Sequence, residues 1–247
     1  MDANTVRKIV RTARVDAGDE VLEVGPGLGS LTLGLLEAGA RVTAVEIDPR
    51  LAELLPSTVE ALQPGAPLTV VEGDALRVGI PGSPRRLVAN LPYNVSVPVL
   101  LHLLETVPSL ETVLVMVQAE VGQRLAAPPG SRVYGSPSAK AAWYGRWSLA
   151  GTISRQVFWP VPNVDSILVA FEAEEAPGTA DERERTFALV DAAFGQRRKM
   201  LRQALADLLG GSAAASARMQ AAGVDPTLRG EQLTVRDFLA IARAADR

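Results

Sequence analysis

The sequence predicts an α/β fold, with a mostly parallel sheet covered by helices on both faces and a small helical domain after it. Three observations predict this. Short apolar runs alternate with segments of helical period over residues 1–117. A glycine-rich turn, GPGLG at residues 25–29, follows the first apolar run and opens into a helix. Beyond about residue 176 the strand-like runs stop and helical spacing takes over.

Residues 2–12 read as a helix with Val6, Ile9 and Val10 on one side. Residues 21–24 are a short strand running into the glycine turn, and residues 30–37 are the next helix. Residues 41–47 alternate as a second strand, 51–62 are helical and 68–71 form a third strand. The fourth strand, 86–89, ends at NLPYN. Helix 97–104 tolerates Pro98 in its first turn. Residues 112–117 are a strongly apolar strand. Two further strand-like stretches, 149–157 and 166–171, predict an antiparallel pair at one sheet edge. Between them, alternating Pro160 and Pro162 stiffen an extended loop, with Val164 and Ile167 expected in the core. Residues 173–179 (AEEAPGT) read as a linker. Helices follow at 185–194, 200–209 and 235–240, the last capped by Thr234 with Asp237. Ala-rich 213–217 favours helix. The expected domains are 1–176 and 177–247.

Composition excludes several classes. A hydrophobic share of 47% beside 21% charged residues excludes general disorder. With no cysteine, disulfides and thiolate zinc sites are excluded, and with one histidine no metal site is expected. No apolar run approaches the roughly 20 residues of a membrane span, and the first residues lack a signal core. A cytoplasmic protein without membrane contact is expected. The net charge of -3 requires any nucleic-acid contact to come from a local basic cluster.

Gly25 and Gly27 permit a tight turn and close approach of a ligand to the backbone. The spacing is not that of the dinucleotide fingerprint. Glu46, followed by Ile47, ends the second strand, where a carboxylate can accept hydrogen bonds from both hydroxyls of a ribose. Asp74, followed by Ala75, comes after the third strand and can accept from an adenine amino group. Together these residues lie at the carboxyl ends of successive strands, where open α/β sheets bind ligands, and a nucleoside site is the favoured reading. Glu23, ahead of the turn, either organises the loop or faces an ammonium group of the ligand.

Asn90-Leu91-Pro92-Tyr93 ends the fourth strand. An exocyclic adenine amine is a poor nucleophile because its lone pair is delocalised into the ring. The Asn90 side-chain oxygen and a backbone carbonyl near Leu91 can accept its two hydrogens and aim that lone pair at a methyl donor. Pro92 stiffens the turn, and Tyr93 offers a face on which an extruded base stacks. Phe158 can form the opposite wall of the base pocket.

The segments EVGPGLG, VEID, GDAL, NLPYN, MVQAEVGQRL, PGSRVYG, FWPVPNVDS and AFGQRRKMLRQAL occur in this order along the whole chain. In them the chain closely resembles the ribosomal RNA adenine N6-dimethyltransferase family, and within it the bacterial small-subunit enzyme. The resemblance implies a Rossmann-like class I methyltransferase domain with a small C-terminal helical domain. It implies S-adenosyl-L-methionine as methyl donor and N6,N6-dimethylation of two adjacent adenines in the 3'-terminal hairpin of small-subunit ribosomal RNA. The expected partner is an assembling 30S particle late in maturation, with the enzyme acting as a monomer and its loss conferring kasugamycin resistance. By the resemblance, Glu46 holds the cofactor ribose, and Asp74 with Ala75 reads its adenine. Asn90, Leu91 and Tyr93 handle the target amine and ring, while Phe158 packs on the base. Two departures accompany it. The family's basic leader with a GQNFL-like segment would precede Met1, so weakened cofactor or RNA binding is expected without it. Residues 134–145 (YGSPSAKAAWYG) also carry Pro137 where the family commonly has Leu, so a shifted helix is expected there.

The basic cluster is Arg197-Arg198-Lys199 with Arg202, and residues 194–206 contain no acid. A buried stripe of Leu201, Leu205 and Leu208 leaves these cations available for phosphate contact. Arg124, Arg132, Arg146 and Arg155 are candidates to extend that surface. The alternatives are a large-subunit RNA adenine methyltransferase conferring macrolide resistance and a mainly RNA-binding assembly factor. A nicotinamide oxidoreductase is disfavoured, since NLPY would have no role in it.

Overall fold

The computed structural model describes residues 2–158, 161 and 163–244. Helix α1 (Ala3–Ala13) starts because the Asp2 carboxylate accepts the Asn4 and Thr5 amides. Its Val6 and Ile9 are buried against α2 (Ser30–Glu37), where Gly34 leaves the room: a side-chain carbon there would meet Val6 Cγ1. The remaining elements of this half are β1 (Glu20–Val24), β2 (Arg41–Glu46), α3 (Pro49–Leu62), β3 (Leu68–Glu72), β4 (Arg86–Asn90), α4 (Ser96–Thr106), β5 (Thr112–Gln118) and α5 (Ala119–Leu125). Pro98 lies in the first turn of α4, as its sequence allows. Next come α6 (Ser136–Ala141), β6 (Gly145–Ile153) and β7 (Ser166–Ala173), and then α7 (Ala180–Gly195), α8 (Leu201–Ala204), α9 (Ser212–Ala221) and α10 (Val235–Ala244).

Among the described residues the strands form one seven-stranded sheet in the order β3-β2-β1-β4-β5-β7-β6. β1 pairs in parallel with β2 and β4, β2 with β3, and β4 with β5, while β7 runs antiparallel to β5. The chain leaves β1 toward β2 and returns on the other side of β1 as β4. The loops after β1 and β4 therefore diverge and leave a crevice at the carboxyl ends, the switch point at which open α/β sheets take ligands. The sheet interior is apolar, with Val21, Val42, Val88, Leu114, Met116 and Leu168 buried in one core cluster.

The described chain divides into two compact units, residues 1–122 with 147–173 and residues 123–146 with 174–247. The expected boundary at 176 lies close to the second break, but residues 123–146 join the C-terminal unit. Tyr134 and Ala139 are buried there with Leu189, Leu201, Phe238 and Ile241, and the Tyr134 hydroxyl donates to the Leu233 carbonyl at 2.9 Å. Residues 145–153 form the edge strand, and 155–157 are a 3₁₀ turn rather than strand, capped by the Ser154 hydroxyl. The helix expected over 200–209 ends at Ala204. Its continuation tightens where the Ala206 amide bonds Gln203 rather than Arg202. Leu209, whose amide donates to the Leu205 carbonyl at 3.0 Å, takes the buried place expected of Leu208, which is 49% exposed. Val164, expected in the core, is exposed because it precedes the sheet, whereas Ile167 is buried on β7. The expected stiffening by Pro160 and Pro162 falls outside the described residues. No helix among the described residues is long and apolar enough to cross a membrane.

Candidate active site

The glycine turn after β1 is bolted to the end of β2. Gly25 donates its amide to the Val45 carbonyl at 2.9 Å, and Gly27 donates to Glu46 Oε2 at 3.0 Å. Both glycines have positive φ, +70° and +58°, which a larger residue rarely adopts. A side-chain carbon built on Gly27 would meet nothing within 4 Å, so the turn faces open space. One built on Gly25 would lie 3.7 Å from Pro92 Cδ and 3.9 Å from the Asn90 carbonyl oxygen, which sets the glycine turn directly beside the NLPY segment.

Glu46 is buried, and its other oxygen accepts the Asp48 amide at 3.0 Å. Two backbone donors occupy half of the acceptor capacity of a carboxylate, leaving lone pairs for a diol. Ile47 beyond it is 66% exposed, and Leu28 in the glycine turn is 69% exposed, two bare apolar side chains on the loops that frame the crevice. Asp74 caps its own turn, accepting the Leu76 amide at 3.0 Å with Arg77 at 3.7 Å, while Ala75 is buried. The Gly73 amide donates to the Glu46 carbonyl at 2.8 Å, which joins the ends of β2 and β3. Glu23 lies fully inside, accepting from Thr32 Oγ1 of α2 at 2.6 Å. Burial, with a smaller push from the neighbouring Glu46 charge, raises its pKa to about 8, so it is predominantly protonated at neutral pH. In the structure it ties the end of β1 to the helix that the glycine turn begins.

Asn90 is the last residue of β4, and its side-chain amide has no hydrogen bond to another described residue. Leu91 is buried and continues the ladder, its amide donating to the Met116 carbonyl at 3.1 Å. Pro92 is exposed and its carbonyl accepts the Val95 amide at 3.3 Å, closing the turn into α4. Tyr93 is half-buried and its Oη lies 2.9 Å from Ser166 Oγ. Phe158, half-buried against the main core, follows the 3₁₀ turn and donates its amide to the Arg155 carbonyl at 3.3 Å. Ser166 opposes Gln118 in the antiparallel β5–β7 pair, so the loop carrying Phe158 belongs to the same end of the sheet as NLPY.

The structure therefore brings Glu23, Gly25, Gly27, Glu46, Ile47, Asp74, Ala75 and Asn90 to Tyr93 to the carboxyl ends of four strands. A cavity of about 630 Å³ includes none of them; it lies lower on the sheet, between Thr12–Asp16, Arg86–Val88 and Ala170–Glu172. Sequence reasoning missed Thr32, Ser166 and Asp165. Arg155, a candidate to extend the basic surface, is exposed, and its guanidinium grips Asp165 at 2.9 and 3.1 Å. Arg197, Arg198, Lys199 and Arg202 belong to the second unit. There Arg198 and Lys199 are exposed, but Arg197 is engaged internally, 2.8 Å from both Glu231 and the Arg132 carbonyl.

A family model described as ribosomal RNA adenine dimethylase matches residues 1–247. Ribosomal RNA small subunit methyltransferase A of Leifsonia xyli is 70% identical over 98% of this chain and 88% of its own length. The protein of the same name from Thermobifida fusca is 61% identical over 98% and 86%. Among solved structures, a dimethyladenosine transferase from Plasmodium falciparum shares the fold, with TM-score 0.82 and 24% identity over 97% of this chain and 94% of that one. The 23S rRNA methyltransferase ErmE superposes with TM-score 0.73 at 26% identity, over 100% and 99%. The glycine turn, the Glu46 carboxylate and the NLPY turn thus stand in a chain whose full length matches one family, and the chain belongs to the ribosomal RNA adenine dimethylase family, as an S-adenosylmethionine-dependent methyltransferase.

Proposed function

We propose that this methyltransferase acts on N6 of two adjacent adenines in the 3'-terminal hairpin of small-subunit ribosomal RNA, giving N6,N6-dimethyladenosine. The observation that carries the site assignment is the placement of NLPY within van der Waals reach of the glycine turn, Gly25 beside Pro92 and Asn90. The substrate assignment rests on the small-subunit relatives at 70% and 61% identity. The assembling 30S particle, action as a monomer in the cytoplasm, and RNA contact by the C-terminal unit belong to the same reading.

The residues fit the cofactor. Glu46 retains lone pairs for the ribose hydroxyls, Asp74 for the adenine amino group, and Ile47 and Leu28 offer apolar cover. When bound, S-adenosylmethionine supplies a methyl group made electrophilic by its sulfonium. The protein then has to present a nitrogen lone pair. Asn90 Oδ1 and a backbone carbonyl near Leu91 accept the two amine hydrogens, turning the lone pair out of conjugation as the nitrogen becomes tetrahedral. Tyr93 and Phe158 stack on the extruded base and hold it flat. The proton lost from nitrogen is acidic after transfer and passes to water, so no histidine is required.

Replacing Asn90 with Ala is expected to abolish transfer to unmethylated small ribosomal subunits while RNA binding persists. Unchanged turnover removes Asn90 from the mechanism. Mass-spectrometric mapping of the product tests the substrate. Dimethyladenosine at two adjacent positions in the small-subunit hairpin supports the proposal. Modification of the large-subunit control instead selects the reading favoured by the likeness to the 23S enzyme.

A further inference from the structure

Tyr93 and Phe158, the two aromatic walls of the proposed base pocket, are carried by different loops. Tyr93 follows β4, whereas Phe158 lies between β6 and β7. Neither loop by itself determines the gap between the rings. A continuous chain of polar contacts does connect the two loops. Tyr93 Oη is 2.9 Å from the Oγ of Ser166, the buried first residue of β7. The preceding residue, Asp165, is held from two sides. Its carbonyl accepts the Ala119 amide at 2.9 Å, and its carboxylate accepts from Arg155 Nε at 2.9 Å and Nη2 at 3.1 Å. Arg155 Nη1 also reaches the Asn163 carbonyl at 3.5 Å, and the Arg155 carbonyl takes the Phe158 amide at 3.3 Å.

We infer that Arg155, Asp165 and Ser166 form a clasp that sets the spacing and tilt between Tyr93 and Phe158. They are positioning residues, acting through the two rings. This rests on the base-stacking reading above. The side chains of Arg155 and Asp165 are 46% and 60% exposed, and an ion pair this open contributes little to stability. Its two-pronged geometry nevertheless fixes orientation as well as distance. A planar base needs that, because ångström-scale misplacement is enough to cost catalysis on the order of 100-fold.

The test is methyl transfer to unmethylated small ribosomal subunits by single and paired variants. Arg155→Ala should lower kcat about 10- to 100-fold with the KM for S-adenosylmethionine and the Tm unchanged, and Ser166→Ala should lower kcat as much with a Tm change no larger than that of Tyr93→Phe. Ser166→Ala combined with Tyr93→Phe should lose no more than either alone, since both cut one link. Arg155→Ala should likewise add little to Phe158→Ala. Arg155→Lys keeps the charge without the fork and should recover only part of the loss. Reversing the pair, Arg155→Asp with Asp165→Arg, should recover more than either change alone retains. A wild-type kcat in Arg155→Ala and Ser166→Ala, or additive losses that track Tm, overturns the clasp. If Tyr93→Ala and Phe158→Ala abolish transfer in that case, the base-stacking reading survives it. If those two leave kcat intact, the stacking reading fails and the clasp falls with it.

Discussion

A carboxyl group sealed between β1 and α2 gains protons on folding. Glu23 is held near pKa 8 by burial, against an ordinary value of 4.5, so between those values the folded state binds a proton that the unfolded chain has released. Its contribution to stability is full below pH 4.5 and is lost progressively as pH rises to about 8. Glu23→Gln keeps an oxygen for the Thr32 hydroxyl and removes the titration. Urea midpoints of that variant should fall less between pH 5 and pH 8.5 than those of the parent. An equal fall assigns the pH dependence elsewhere. The sequence placed Glu23 at the glycine turn, but its protonation depends on burial beneath α2, which begins at Ser30. Arg155 shows the same limit. Its type and exposure match a surface cation, and only the return of the chain at Asp165 reveals the pair.

Elements with an uninterrupted period were legible because one face of each carries the apolar residues. Val6 and Ile9 of α1 are buried as their spacing requires, and Gly34 is the counterpart that lets α2 approach. Gly34→Ala drives a carbon into Val6 Cγ1 and should cost about 1–3 kcal/mol in denaturant unfolding, part of it recovered by Val6→Ala. The cap of α10 was equally legible: the Thr234 hydroxyl accepts the Asp237 amide at 3.2 Å and the Asp237 carboxylate accepts the Thr234 amide at 2.8 Å. Thr234→Ala should lower stability by about 1 kcal/mol. Legibility failed just past α8, where the regular helix stops at Ala204 and Leu209 rather than Leu208 is buried. Failure there matters for the basic segment just before it. Arg197 braces three stretches of the C-terminal unit by joining Glu231 to the loop at Arg132, whereas Arg198 and Lys199 point to solvent. Removing Arg198 or Lys199 should reduce the salt slope of RNA binding by about 1 each, while Arg197→Ala should lower the unfolding midpoint with a smaller change of slope.

Over the whole molecule, the mostly parallel sheet was legible in the alternation of elements, but its strand order and the division into units were not. Residues 123–146 show no strong periodicity, and their allegiance comes from Tyr134 and Ala139 entering a core made mostly by residues 189–242. A fragment of residues 177–247 alone lacks those side chains and the Tyr134 bond to Leu233. It should therefore unfold without a cooperative transition by circular dichroism, whereas the full chain shows one. The sheet order has a consequence for synthesis. β6 is made before β7, yet its place in the order is beyond β7, so it has no strand to join until β7 inserts between it and β5. The sheet is completed from within, by its last-made strand, and that insertion delivers Asp165 and Ser166 to Arg155 and Tyr93. A nascent chain thus brings Ser166 to Tyr93 and Asp165 to Arg155 only when β7 takes its place between β5 and β6.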